Sequence, residues 1–489
     1  MDFNNNTYAV IEPSILPTEI KVKSFEEENG GIKQTKVLGV NEPYVSINGY
    51  QFMPVDIVSF TLNCSGFLPT LNISIKDNQN SFSIDTFPRD GDVITFLLNS
   101  KNESTFKSIH MDFDILKVSN MPADEDSVVR YNFIGKAKVP YVDSEECRYY
   151  ESGTSLSHLE QEAKYLGLGL VTNIDSTSDE QVRIQPYVSH EKFIKSIVET
   201  SYISDDAFQT YFIDQYYYLN FIEVNRIFNS TNAMSIQDAQ ESLMSFSESL
   251  SEAEEGTTNN DNLNSKLVLT NYFRFKGFNN YINKYSLENN SSAIVANHGH
   301  FRDIQIYDDT TQELSEFTID PLTSENMLDS EEPLRGRRSE DRYEGQIKHK
   351  YVGRQDVGEE GVGNVHASYT YSKVHNFRNN LEASKMVLRV TLASFNPSVY
   401  KYQKVPVLMY MYDDVKKASS DTKDEEAKKM GFKDRQFEDD KSNDQSRVDY
   451  FISGNYIIQN IDYSYTKSKG IVQTLTLMRR EWPTRFSTL

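Results

Sequence analysis

The side chains best able to do chemistry in this chain are few and poorly spaced for it. The eight histidines are His110, His158, His190, His298, His300, His349, His366 and His375. Only His298-Gly299-His300 forms a local pair, and it lacks the i, i+4 helical spacing and acidic partner of a protease-type zinc site. An exposed turn without metal is its expected setting. Cys64 and Cys147 are the two cysteines, too few for a disulfide scaffold or a cysteine-based zinc site. With 72 Asp and Glu, close carboxylates arise by chance, so counting gives no support to a glycosidase pair. A sugar cleft would normally stack on more than the single tryptophan, Trp482. No nucleophile elbow, phosphate loop, dinucleotide glycine pattern or calcium loop occurs. The sequence therefore nominates no catalytic residue, no cofactor-binding residue and no metal ligand.

The basic cluster Arg335, Arg337, Arg338 is short and sits among acids. A solvated loop with internal ion pairs explains it better than nucleic-acid binding. The whole chain of 489 residues carries a formal charge of −22, which repels DNA and anionic membrane. No leader-like segment opens the sequence and no stretch reaches the apolar length of a membrane span, so stable membrane binding is not expected.

The elements around these residues read as mainly β with an α+β insert. Residues 1–49 are polar and irregular, an N-terminal arm. Residues 50–145 alternate with period two in several short runs: Ile57–Leu62, Leu71–Ile75, Val93–Leu98, then Met111, Phe113, Ile115 and Val129, Tyr131, Phe133. Such runs, separated by turns, make a first β-barrel domain. Residues 146–307 form the α+β insert. Leu156, Leu159, Ala163 and Leu166 mark one amphipathic helix, capped by Thr154 or by a Ser157/Glu160 box and ended by Gly167 or Gly169. Phe193, Ile194, Ile197 and Val198 mark a second, and a hairpin spans Phe208–Ile222.

An acidic segment, 229–265, interrupts the insert. Within it Ile236, Ala239, Leu243, Phe246, Leu250 and Ala253 recur at three-four spacing, the mark of a helix packed on its own subunit or of a short coiled coil between subunits. Residues 308–384 are a long polar loop region, expected to order against a partner. Residues 385–489 form a second β-barrel domain, with strands at Met386–Ala393, Val405–Met411, Tyr456–Tyr465 and Ile471–Met478 and a charged insertion at 413–447. The two barrel-like ends are expected to be similar.

Three stretches, taken in order, resemble the baseplate hub proteins of contractile-tailed phages, a family related to late-control tail proteins and to the N-terminal domains of type VI secretion spikes. The first is Phe87-Pro88-Arg89-Asp90-Gly91-Asp92-Val93-Ile94. The second is Glu191 to Phe221, preceded by a helix and the Gly-rich break Leu166–Leu170. The third is Ser453-Gly454-Asn455-Tyr456-Ile457-Ile458, Ile461-Asp462-Tyr463-Ser464-Tyr465 and Leu475-Thr476-Leu477-Met478-Arg479-Arg480-Glu481-Trp482-Pro483, similar to a hub's closing hairpin. The likeness covers about 50–225 and 385–485.

The resemblance implies a structural, non-enzymatic homotrimer. Two barrels per chain would give a ring adapting a six-fold tail tube protein to a three-fold central spike protein. The implied partners also include the tape measure and the baseplate wedge proteins, with DNA passing only transiently through the channel. The implied setting is the virion tail baseplate, after assembly in the host cytoplasm. Two other readings are a type VI secretion-like spike or effector-delivery component, and a carbohydrate-binding or carbohydrate-cleaving tail protein. The sequence has no recognisable lysozyme or β-helical spike segment, which disfavours a fused spike.

Overall fold

The computed structural model describes residues 8–20, 43–52, 54–77, 82, 89, 91–98, 108–122, 129–204, 207–230, 237–243, 267–272, 279–290, 302–307, 312, 314–319, 331–333, 347–352, 369–384, 386–396, 399–410, 448–449, 451–479 and 481–483. His298, His300, Arg335, Arg337, Arg338 and the charged insertion 413–447 lie outside the described residues. Among the described residues the fold is mainly β, with 24 strands and a small helical component.

The N-terminal part supplies Tyr8–Ile11 (β1), Pro43–Ile47 (β2), Tyr50–Phe52 (β3), Ile57–Asn63 (β4), Thr70–Asp77 (β5), Val93–Leu98 (β6), Ile109–Pro122 (β7) and Val129–Ala137 (β8). From β4 onward these match the period-two runs of the sequence. Their inward faces bury Phe60, Leu62, Ile73, Phe96, Phe113 and Phe133. The turn before β6 forms as expected: Gly91 has φ 86°, and Asp92 N–H donates to the Arg89 carbonyl at 3.1 Å.

Two features depart from the arm expected over residues 1–49. The strands of the large sheet begin earlier, at Pro43, because Asn48 (φ 50°) and Gly49 (φ 81°) form a tight hairpin turn between β2 and β3. An Asn-Gly pair is the strongest local hairpin signal, and it stands in the sequence between Ile47 and Tyr50. The described part of the arm, 8–20, is also fastened down. β1 pairs antiparallel with the later strand 169–172, and Thr18 donates to the Asp112 carboxylate through both N–H and hydroxyl, at 3.1 and 2.9 Å.

The insert contributes Glu145–Gly153 (β9), Ser155–Leu166 (α1), Gly169–Thr172 (β10), Gln181–Ser189 (β11), His190–Thr200 (α2), Gln209–Ile213 (β12), Tyr218–Glu223 (β13) and Val224–Phe228 (α3). The hairpin β12–β13 joins β10 and β1 in a four-stranded sheet, while β9 and β11 form a separate two-stranded ribbon. Thr154, not the Ser157/Glu160 box, caps α1: its hydroxyl accepts from Ser157 N–H at 3.2 Å. Gly167 ends α1 at φ 72°, a left-handed cap that glycine adopts without a Cβ penalty.

The remainder supplies Leu269–Thr270 (β14), Ile282–Asn289 (β15), Arg302–Tyr307 (β16), Leu314–Ile319 (β17), Glu331–Pro333 (β18), Ile347–Val352 (β19), Tyr369–Ala383 (α4), Met386–Leu392 (β20), Lys404–Leu408 (β21), Gly454–Thr466 (β22), Gly470–Arg479 (β23) and Glu481–Pro483 (β24). β14 and β15, read from the sequence as part of the insert, instead pair with β21 and β20. The polar region 308–384 contains β17, β18, β19 and α4, so it is not one unstructured excursion. Of the candidate helix Ile236–Ala253, residues 237–243 are described. They are helical, and they bury Ala239 and Leu243 against Val268, Tyr272, Leu408 and Tyr410 of the same chain.

The chief topological fact is the pairing of β22 with β4, Asp462 opposite Asn63 and Thr466 opposite Ser59. It makes one hydrogen-bonded path, β15-β20-β23-β22-β4-β5-β8-β7-β6-β2-β3, from strands at both ends of the chain. One large hydrophobic cluster draws on the N-terminal strands, the insert and the C-terminal strands, with Phe60, Leu159, Phe221 and Leu475 among its members.

Candidate functional site

Among the described residues, a buried constellation of titratable side chains lies where α1 and α2 meet the ribbon β9–β11. α1 presents Glu162 and α2 begins with His190; both side chains are fully buried. His190 Nδ1 and Glu162 Oε2 are 2.6 Å apart, and Arg148 of β9 reaches Glu162 Oε1 at 3.4 Å. The Arg148 guanidinium lies 3.7 Å from the centroid of the Tyr165 ring, and that ring stacks on the His190 imidazole at 5.2 Å. The Tyr165 hydroxyl donates to Glu146 at 2.9 Å, and this hydrogen bond holds its pKa above the usual tyrosine value.

A carboxylate orienting a histidine is one half of an acid–base machine. The other half is a reacting group within reach of the second ring nitrogen. Here Nε2 is buried without a hydrogen-bond partner and faces the Glu146 carboxylate at 3.7 Å. Beneath Tyr165 the dyad has no open side, so its geometry serves to lock two helices to the ribbon. A neighbouring set does the same at the N-terminus of α1. Asp179 accepts from Ser155 N–H and Tyr202 N–H, both at 2.9 Å, and buried Arg183 donates to Ser155 Oγ and Thr200 Oγ1 at 3.0 Å. His158 Nε2 bonds the Glu151 carbonyl at 3.0 Å, and burial pushes its pKa down.

A second cluster joins the insert to the C-terminal strands. Lys401 Nζ donates to the Cys64 carbonyl at 2.7 Å and lies 3.7 Å from the centroid of the Phe212 ring. Burial lowers its pKa to about 8 and pushes the Cys64 thiol up to about 12. A thiol so placed is inert, and the lysine is held by a backbone carbonyl and an aromatic face. Lys404 Nζ, also buried, donates to the Phe228 carbonyl at 2.7 Å at the end of α3.

An open groove of about 350 Å³ crosses the outer face of β4, β5, β7 and β8. Its charged lining is Arg130 and Lys117, beside Ser59, Thr61, Asn72 and Ser74. Without a lining carboxylate, it offers no acid pair for glycoside cleavage. Among the described residues, no group of three or more His, Cys, Asp or Glu is placed to hold a metal ion, and no helix is long and apolar enough to cross a membrane. Cys64 and Cys147 are both free thiols.

Sequence reasoning missed the Glu162–His190 pair, although one signal was present. Glu162 stands on the apolar stripe of α1, one turn after Leu159 and one before Leu166. A carboxylate at such a position must find a buried partner.

No family model matches the chain, and no curated protein matches it. Solved structures similar to it are tail proteins and secretion components. A prophage MuSo2 tail protein from Shewanella oneidensis is 10% identical with a TM-score of 0.48, over 90% of this chain and 98% of that one. A tail protein from Neisseria meningitidis is 7% identical with a TM-score of 0.47, over 90% and 96%. A type VI secretion component of Escherichia coli is 10% identical with a TM-score of 0.39, over 90% and 77%.

Proposed function

We propose that the chain is a structural subunit of the central baseplate hub of a contractile phage tail. Three copies form a ring that adapts the six-fold tail tube to the three-fold central spike and leaves a channel for DNA. The observation that carries this reading is the β22–β4 pairing, which joins both ends of the chain in one long antiparallel sheet whose path ends at β3 and β15. Terminal strands of a sheet need cover, and neighbouring copies around a closed ring supply it.

In this reading the strand sets 50–145 and 385–485 are two similar barrels, giving six near-equivalent positions around a three-fold axis. The tube and spike proteins bind its two faces, with the tape measure and wedge proteins as further neighbours. Three copies of a chain of charge −22 suit a wall past which DNA moves without adhering. The role is mechanical: the buried Glu162–His190 dyad supports the fold, and no side chain is catalytic.

Native mass measurement of the purified chain, alone and with the tube and spike proteins, tests this. A trimer in either condition is expected. A monomer at assembly concentrations with both proteins present overturns the reading.

A further inference from the structure

The β9–β11 ribbon is apolar on both faces. Its inner face carries the core residue Tyr150 with Arg148, Arg183 and Gln185 against the helices, and Tyr150, Arg183 and Gln185 are buried. Its outer face carries apolar side chains as well. Tyr149 lies directly opposite Ile184, and Cys147 opposite Pro186. Tyr149 is 66% exposed, Ile184 52% and Tyr187 74%. Tyr187 occupies the irregularity between Pro186 and Val188 at φ 51°, a left-handed conformation that costs a tyrosine backbone strain. An exposed cross-strand Tyr–Ile pair beside a strained, outward tyrosine does nothing for this chain's own core, and contiguous apolar patches of this kind mark contact surfaces.

The ends of the patch say what covers it. Along β9 the outward row runs Glu145, Cys147, Tyr149, Glu151, with carboxylates at both limits and apolar side chains between. Glu180, exposed, hydrogen-bonds Ser152 near the Glu151 end. Two copies of this chain meeting through the patch would set carboxylate against carboxylate on molecules of charge −22. We infer that the outer face of the β9–β11 ribbon is a docking surface for a different protein, one presenting an apolar centre flanked by lysine or arginine.

The inference stands apart from the hub reading, and its test uses the purified full-length chain. The probes are two synthetic β-hairpin peptides with the same valine and tyrosine face, one with lysines at the strand ends and one with glutamates. Cys147 is exposed and Cys64 buried, so the rate of maleimide labelling, read by intact mass, reports cover over the patch. The lysine-ended peptide is expected to slow labelling about ten-fold more than the glutamate-ended one, the sum of two or three rim ion pairs, and less so at high salt. The E145K/E151K/E180K variant is expected to reverse the preference, and I184E to abolish protection by both peptides. Equal protection by the two peptides, or none by either, overturns the inference. So does protection of Cys147 that rises with chain concentration alone, which assigns the face to a second copy.

Discussion

The guanidinium of Arg479 fills the space that a side chain at residue 454 would need. A Cβ built on Gly454, whose φ is 148°, would sit 2.6 Å from Nη1 and 2.8 Å from Cζ. Arg479 cannot easily give way: it is buried, donates to the Ser453 carbonyl at 3.0 Å and lies 5.5 Å from the Tyr456 ring centroid. The Ser-Gly turn and the basic end of the last long strand, far apart in the sequence motif, are thus one packing unit. Gly454→Ala is expected to cost about 2 kcal/mol or more in denaturant unfolding. Adding Arg479→Met should recover part of that loss, since contacting sites couple. Strict additivity of the two changes would refute the contact.

Glu162 and His190 should behave as a buried pair. Glu162→Leu strands the histidine and Arg148, with an expected cost of about 3–5 kcal/mol. The double change E162L/H190F replaces both partners with apolar groups and should cost less than E162L alone. Urea titration of both variants decides it, and a double variant less stable than the single would show that the pair is not the unit.

The dock of α4 on α2 is polar. Asn376 Nδ2 donates to the Val198, Glu199 and Ser201 carbonyls, the nearest at 3.0 Å, and Ser372 Oγ donates to the Thr200 carbonyl at 3.2 Å. The Glu199 and Thr200 carbonyls lie in the last turn of α2, where the helix offers no intrahelical partner, while that of Val198 also accepts from Ser201 N–H at 3.2 Å. Asn376→Ala should cost about 1–2 kcal/mol and speed hydrogen exchange in Tyr369–Ala383 well beyond that in β22–β23. Unchanged exchange in α4 would refute the dock.

Lys401 gives the chain an alkaline pH response of defined sign. Its folded pKa of about 8 lies below the ordinary 10.5, so the unfolded chain holds the proton more tightly. The penalty is full below about pH 8, shrinks as pH rises, and is gone above 10.5. Wild type minus Lys401→Met stability should therefore rise by about 1–3 kcal/mol between those limits. Cys64, raised to about 12 from 9, works the opposite way above pH 9, but it is common to both proteins and largely cancels. A flat difference across the window would refute the assignment.

What could be read from the sequence divides along physical lines. β22 and β23 alternate over long runs, and α1 and α2 carry apolar stripes, so period alone located them. α4 escaped because, Ala383 aside, its described buried side chains are Ser372, Asn376 and Asn379, residues that look solvent-facing. The anchored segment 8–20 escaped because its attachments, the short β1–β10 pairing and the Thr18 bonds to Asp112, are long-range contacts with no local pattern. The Glu162–His190 pair joins two helices, and only the misplaced acid on an apolar stripe hinted at it. Strand pairing between β22 and β4 has no signature in either segment, since register across such a separation is set by the assembled core.

That last pairing also governs how the protein comes off the ribosome. β4 is made long before its partner β22, so that edge of β4 waits, unpaired, while everything between them is synthesised. Contacts this distant in sequence form late, and a chain cut short before residue 454 never covers that edge. Truncated copies would keep an adhesive strand edge that copies carrying β22 hide.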